Sequence, residues 1–521
     1  MAQQLYRLAL LNNGKEELYT AGSAIHGTGL FTYKALPIGT LICRLMNIGH
    51  ELTPDEWFVG PFKWLNHAGR PNARITDDYA LISISEIEAG DEICIDYGAL
   101  PTINTEGITT EADNKKQSKT GINETRHAVN NIADVDFIKN PFYSFWMGGF
   151  ECADQLNNAG IRVDLLTATR HLEFLNQDYA RLKAFGIRTV REGICWSRVE
   201  IQPYEYDFST VGIMLETGKR NGIQQIWDIC HFGFPDGLSP LHPEFTERFV
   251  GVCRAFALYH RQNYPGQILI VTPINEVSFL SWLGGEVAGT VPYCRNMGWD
   301  VKYQLMKAYI EGIKALKRVD AGVLILTTEP LVNIVPPLEA TPAEAEEARV
   351  AHLQQYQSLD ILTGAICPEL GGSADLVDLL GFNFYYNNQW LTNFEYFLPW
   401  LNEDADPRWR PLHQLLKEAY LRYEKPLVLT ETSHPGEDRP AWISFIAEQC
   451  ETLLQKDFPL YGVCLYPIID RPDWDNLSCW HHSGLWDRAA DTDEAASRIL
   501  NVPYAEALMA AQILLRPYHS H

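Results

Sequence analysis

Apolar positions fall into two regimes along the chain. From Leu18 to Tyr97 they form short runs broken by glycines: Ser23-Ala-Ile-His-Gly-Thr-Gly29, Leu30-Phe-Thr32, Thr40-Leu-Ile-Cys43, Ala80-Leu-Ile-Ser-Ile84 and Glu92-Ile-Cys-Ile-Asp-Tyr97. That pattern predicts a small all-β domain without a long helix over residues 1–100. Residues 101–135 are polar with little periodicity and predict a linker. From 136 to 521 β-rich apolar runs alternate with stretches of helical spacing, which is the signature of parallel βα units. Eight such runs stand out: Phe145–Phe150, Ile187–Ile194, Ile223–Ile229, Ile268–Ile274, Gly322–Thr327, Val377–Phe384, Pro426–Thr430 and Tyr461–Tyr466. Glu173-Phe-Leu-Asn-Gln-Asp-Tyr-Ala-Arg-Leu-Lys-Ala-Phe185 exemplifies the helices between them. The economical architecture is α/β, a (β/α)8 TIM barrel preceded by the β domain.

In such a barrel the chemistry sits at the C-terminal ends of the strands. Two strands end in a glutamate there, Val271-Thr-Pro-Ile-Asn-Glu276 and Pro426-Leu-Val-Leu-Thr-Glu431. A pair of carboxylates delivered to one mouth is what cleavage of a glycosidic bond requires, one as acid/base and the other as nucleophile. Asn275 directly precedes Glu276, and the other ends carry Glu151, His231, Asn383, Tyr385, Asp473 and Trp474, with Arg191 inside the second run and Trp480 further along the last loop. Amides, an imidazole and aromatic faces suit a sugar, whose hydroxyls need paired polar groups and whose C–H face stacks on rings.

Composition narrows the classes. With 66 acidic and 42 basic residues the net charge is -24, which opposes binding to phosphate backbones and anionic membranes. No run reaches the length of a membrane span and the first residues lack a secretory pattern, so a cytoplasmic location is expected. The eleven cysteines are scattered singly, as reduced thiols filling apolar runs such as those of Cys195, Cys230 and Cys464, and no metal site is expected. Glu339–Glu347 has the composition of a solvated helix face.

Residues 142 to 515 resemble family 1 β-glucosidase-type glycoside hydrolases and, more widely, retaining glycosidases with glutamates on strands four and seven. Asn275-Glu276 resembles the family's acid/base dipeptide and Glu431 its nucleophile, although Thr432-Ser433 stands where the family has Asn-Gly. The resemblance implies that Arg191 lies beside the nucleophile, that His231 grips the sugar and that Tyr385 bonds Glu431. Asp473-Trp474 lies on the family's Glu-Trp loop, one methylene shorter, and the family's first-strand Gln is replaced by Glu151 or Gln155. No cofactor is implied for this reaction, and the partner is a carbohydrate or glycoside.

Three stretches of the first hundred residues resemble a SET domain: Ser23-x-Ile-x-Gly-x-Gly-Leu-Phe31, Leu65-Asn-His-Ala-Gly-Arg-Pro-Asn72 and Ala89-Gly-Asp-Glu-Ile-Cys-Ile-Asp-Tyr-Gly98. That likeness implies S-adenosylmethionine held by Gly27, Gly29, Asn66 and His67, with Tyr97 at the methyl-transfer channel and a protein as methyl acceptor. The segment between the halves is short and a cysteine-rich tail is missing, so an interaction module stands beside the enzyme reading. The alternative for the whole chain is a protein-lysine methyltransferase whose barrel binds carbohydrate or serves as scaffold.

Overall fold

The computed structural model describes residues 18–22, 28–32, 35–44, 66–67, 71–76, 80–89, 91–95, 138–393, 396–401, 406–488 and 498–518. The chain divides into two compact units, Met1–Arg126 and His127–His521. Among the described residues no helix is long and apolar enough to cross a membrane.

In the first unit the strands Leu18–Gly22, Thr28–Thr32, Glu92–Ile95 and Asn66–His67 lie side by side in that order. The first three run antiparallel, and Asn66–His67 pairs parallel with Cys94–Ile95. A second antiparallel sheet holds Leu41–Arg44, Ala80–Ser83 and Ala73–Ile75. Asn72 laces the two together: its Nδ2 donates to the Glu92 carbonyl at 2.7 Å and its Oδ1 accepts from the Cys94 N–H at 2.8 Å. A side-chain amide can do this because it carries a donor and an acceptor side by side, as a peptide group does. Leu36, Leu81, Ile87 and Ile93 are buried in this unit.

In the second unit a parallel sheet curls on itself. Its strands are Trp146–Gly149, Thr189–Gly193, Gln224–Cys230, Ile270–Ile274, a split fifth strand of Leu324–Ile325 and Glu329–Pro330, then Leu380–Asn383, Leu427–Thr432 and Leu460–Leu465. Each pairs with its sequence neighbour, and the last returns to the first through Val463↔Trp146. The fifth pairs with the fourth through Ile270↔Leu324 and with the sixth through Leu326↔Leu379 and Glu329↔Phe382. The architecture is thus that of a TIM barrel, with helices such as His171–Leu182, Ser209–Asn221, Phe245–Asn263 and Gly298–Val319 following the strands.

The sequence predicts the fifth strand as one run, Gly322–Thr327, whereas the ladder is interrupted there. Thr327 Oγ1 accepts from the Gly381 N–H at 2.9 Å and the Thr328 carbonyl accepts from the Glu276 N–H at 2.9 Å. Side chain and turn thereby take over groups that a regular ladder would have paired.

Inside the ring Met147, Ile226, Ile270, Leu326, Leu379, Val428 and Cys464 form a small apolar cluster, while a larger one joins the outer strand faces to the helices. Alternation along each strand sorts residues between these two cores. Gly462 makes room for the inner layer, since a Cβ there would lie 2.1 Å from Met147 Cε. Cys195, Cys230 and Cys464 are buried, and the acidic stretch folds as the mostly exposed helix Pro342–Leu353, whose Thr341 and Glu344 form a capping box.

Candidate active site

The fourth and seventh strands place Glu276 and Glu431 at the same end of the barrel, and their surroundings differ. Glu431 is 4% exposed and accepts from Arg191 Nη1 at 2.5 Å through Oε1 and from the Tyr385 hydroxyl at 2.7 Å through Oε2. Glu276 is half-buried and accepts from Asn383 Nδ2 at 2.9 Å. Thr430 sets that amide, because its hydroxyl donates to Asn383 Oδ1 at 2.7 Å and so turns Nδ2 toward Glu276. Burial first, and then the negative Glu431, hold the Glu276 carboxyl well above the usual carboxylate range against the opposing Asn383 bond. Burial and the Glu431 charge likewise raise Tyr385, which therefore serves as a neutral donor.

Arg191 organises the floor. Its Nε and Nη2 reach Asp228 Oδ1 and Oδ2 at 3.0 and 2.7 Å, Nη2 also reaches Asn275 Oδ1 at 2.7 Å, and its guanidinium lies 5.1 Å from the Tyr466 ring centre. Burial opposes the Arg191 charge, but Asp228 and Glu431 outweigh it and raise the pKa well above the ordinary value. Burial also raises Asp228, yet Arg191 and His231 outweigh it and the carboxyl is held low. With Oδ1 turned to Arg191, Asn275 presents Nδ2 to His231 Nε2 at 3.2 Å, and His231 Nδ1 faces Asp228 Oδ2 at 2.8 Å. The imidazole accepts from Asn275 when its one proton sits on Nδ1.

The first and eighth strands supply the wall. Tyr466 stacks on His231 with rings 5.8 Å apart and 5° from parallel, and its hydroxyl donates to Glu151 Oε1 at 3.2 Å. Glu151 Oε1 lies 3.6 Å from His231 Nε2, and Oε2 pairs with Arg471 Nε at 3.2 Å. Of the two first-strand candidates it is Glu151 that these contacts join to His231, whereas the Gln155 side-chain carbonyl is buried without a hydrogen-bond partner. Gly149 is required here, since a Cβ would fall 1.9 Å from Tyr466 Cδ2. Trp474 packs on Phe232 and Phe279, with ring centres 5.5 and 6.0 Å away, and Arg471 lies over it at 5.2 Å. The Trp474 Nε1 is buried without a protein acceptor.

Arg191, His231, Asn275, Glu276, Asn383, Tyr385 and Glu431 thus form one connected constellation. Asp473 and Trp480 engage the loop beyond the eighth strand instead. Asp473 Oδ1 accepts from the Asp475 and Asn476 N–H groups at 2.9 Å each, Oδ2 pairs with His481 at 3.2 Å, and Trp480 lies beneath Arg488 at 4.8 Å. Sequence reasoning missed Asp228, Tyr466 and Arg471 as site residues. A carboxylate within a buried strand three residues before His231 is the signal that could have found Asp228, because such a charge requires a partner. Of the SET-like positions, Gly29 lies in Thr28–Thr32 and Asn66 and His67 form the strand beside Glu92–Ile95. Gly27 and Tyr97 lie outside the described residues.

Among the described residues two groups bring possible metal ligands within 4.8 Å of one another, Cys152 with Asp228 and His231, and Asp470 with His482 and Asp487. In each, one carboxylate is already engaged by an arginine, Asp228 by Arg191 and Asp487 by Arg439.

The fold is one shared with known glycosidases. A family 1 β-glucosidase from Thermotoga maritima superposes with a TM-score of 0.55 at 15% identity, over 72% of this chain and 99% of that one. The Thermotoga maritima β-glucosidase in complex with glucoimidazole gives 0.57 at 15% identity, over 71% and 98%, and an enzyme called AHE from Alicyclobacillus herbarius gives 0.57 at 15%, over 72% and 99%. Neither a protein-family model nor a curated protein matches the sequence.

Proposed function

We propose that the second unit is a retaining glycoside hydrolase for β-linked glycosides, with Glu276 as acid/base and Glu431 as nucleophile. The observation that carries this reading is the asymmetry of the pair: a guanidinium and a phenol donate to Glu431, while burial and the Glu431 charge favour a proton on Glu276. In the first step Glu276 gives its proton to the glycosidic oxygen, the bond from that oxygen to the anomeric carbon breaks, and Glu431 closes on that carbon to form a glycosyl ester. In the second, Glu276 takes a proton from water as the water oxygen attacks the anomeric carbon, and the ester opens to restore Glu431. Two inversions leave the sugar with its original configuration.

In this reading His231, Asn275 and Asn383 meet sugar hydroxyls, and Trp474 offers an indole face and an unused N–H. The neighbours are named as β-glucosidases, so β-glucosides head the panel of nitrophenyl glycosides that tests it. The expected result is turnover with the β-anomer as first product in an NMR time course. Release of the α-anomer first would overturn the retaining assignment.

For the first unit we propose a SET-like fold that binds S-adenosylmethionine, with a protein as methyl acceptor. What favours it is adjacency, since Gly29, Glu92–Ile95 and Asn66–His67, one piece from each motif stretch, occupy three neighbouring strands. The cofactor should raise the thermal midpoint of the full chain, as any ligand selective for the native state must. No shift and no heat of binding at millimolar cofactor would leave the interaction module as the reading of this unit.

A further inference from the structure

The fifth strand, which carries none of the site residues expected from the sequence, ends in a buried carboxylate directed at the acid/base segment. We propose that Glu329 is a positioning residue that clasps the turn carrying Glu276 and thereby tunes it as a proton donor, an inference that rests on the glycosidase reading.

The geometry is local and complete. Glu276 leaves its strand in the left-handed region, with φ 43° and ψ 61°, a conformation that disfavours any side-chain-bearing residue. Three consecutive N–H groups hold it there from one strand. The Glu276 N–H donates to the Thr328 carbonyl at 2.9 Å, and those of Val277 and Ser278 donate to Glu329 Oε1 at 2.8 Å and Oε2 at 3.2 Å. Because both Glu329 oxygens accept, the carboxylate form makes the clasp. Burial pushes Glu329 up, opposed by Ser278 and by the Lys302 ammonium, whose Nζ bonds Gln357 Oε1 at 2.9 Å. Neither substrate nor the reacting atoms are required to touch Glu329, so its influence passes through Glu276. Its charge adds to that of Glu431 in favouring the protonated acid. An amide in its place offers one acceptor and turns an NH2 toward one of the two N–H groups, which loosens the turn and removes the charge together.

The test compares Glu329→Gln with wild type on alkyl β-glycosides, whose leaving groups need a proton, and on dinitrophenyl β-glycosides, whose leaving groups do not. The expected result is a loss of kcat/KM at least about tenfold larger on the alkyl substrates. The alkaline limb of the pH profile should also move to lower pH, because a negative neighbour of Glu276 is gone. Glu329→Asp keeps the charge while shortening the reach, and serves if the amide variant does not melt cooperatively. It should show the same dependence on leaving group with the alkaline limb in place. Equal losses on both substrates, or no loss, would overturn the clasp. Wild-type protein inactive on every glycoside of the panel would instead overturn the glycosidase reading, and the clasp with it.

Discussion

Arg191, only 1% exposed, ties Asp228, Asn275 and Glu431 together through a single planar group, and a lysine could not reproduce that fork. Replacing it with Met would leave two buried carboxylates without their counter-charge, and breaking a buried pair in this way costs about 3–5 kcal/mol. Arg191→Met is therefore expected to lower the thermal midpoint clearly and to abolish turnover, whereas Arg191→Lys should retain more of the fold than of the activity. The proposed catalytic pair, Glu276 and Glu431, separates on another axis. Glu276→Gln should lose about 10²- to 10⁴-fold in kcat/KM on alkyl glycosides and far less on dinitrophenyl ones, while Glu431→Gln should lose both. In the proposed mechanism the acid must hold its proton in the wild type, so activity should persist above the ordinary carboxylate range and decline as pH rises through the raised pKa of Glu276. A pH profile of kcat/KM checks this directly.

At the level of elements, what the sequence made legible was the strand tip. Asn275, Glu276 and Glu431 stand where apolar runs stop, and a run that stops at a polar residue marks both the strand and its end. Asp228 and Glu329 were harder to find because their roles depend on which face of a strand turns inward and on a break in the ladder at Thr327–Thr328. Neither is encoded in periodicity. Asp473 and Trp480 show the converse, where a loop motif can be aligned by spacing while its side chains satisfy their own loop. The same scale holds two predictions. Gly149→Ala would press a methyl into Tyr466, an overpacking that costs about 1–3 kcal/mol and displaces the ring stacked on His231. Its signature is a lowered midpoint together with a raised KM. The second concerns His171, on the helix after the first strand, which stacks on Phe150 at 3.8 Å and reaches Asp178 at 2.9 Å and Glu192 at 3.1 Å. Burial opposes its charge, but Glu192 and Asp178 prevail and it is pushed up to about 9. A raised histidine contributes stability that is full below its unfolded pKa near 6.5 and is lost as pH rises through the folded value, up to about 3 kcal/mol. Thermal midpoints between pH 6.5 and 9 should fall in the wild type, and His171→Gln should be flatter over that window.

The molecule as a whole consists of two units, and in the larger one the first and last strands are neighbours. Val463 pairs with Trp146, the Tyr461 hydroxyl reaches the Ile138 carbonyl at 2.6 Å, and Arg498 binds both Asp178 and the Thr169 carbonyl. These contacts span nearly the whole second unit in sequence. On a ribosome the consequence is one of timing: until Leu465 has been made, the Trp146–Gly149 and Leu427–Thr432 strands each present an unpaired edge that can recruit another chain. A chain stopped after Leu454 should accumulate as aggregate, and sedimentation of the truncated product against full length would show it. Completion of the barrel thus waits for the eighth strand, so the time for which its two edges need protection is set by the speed of translation and not by the stability of the finished ring.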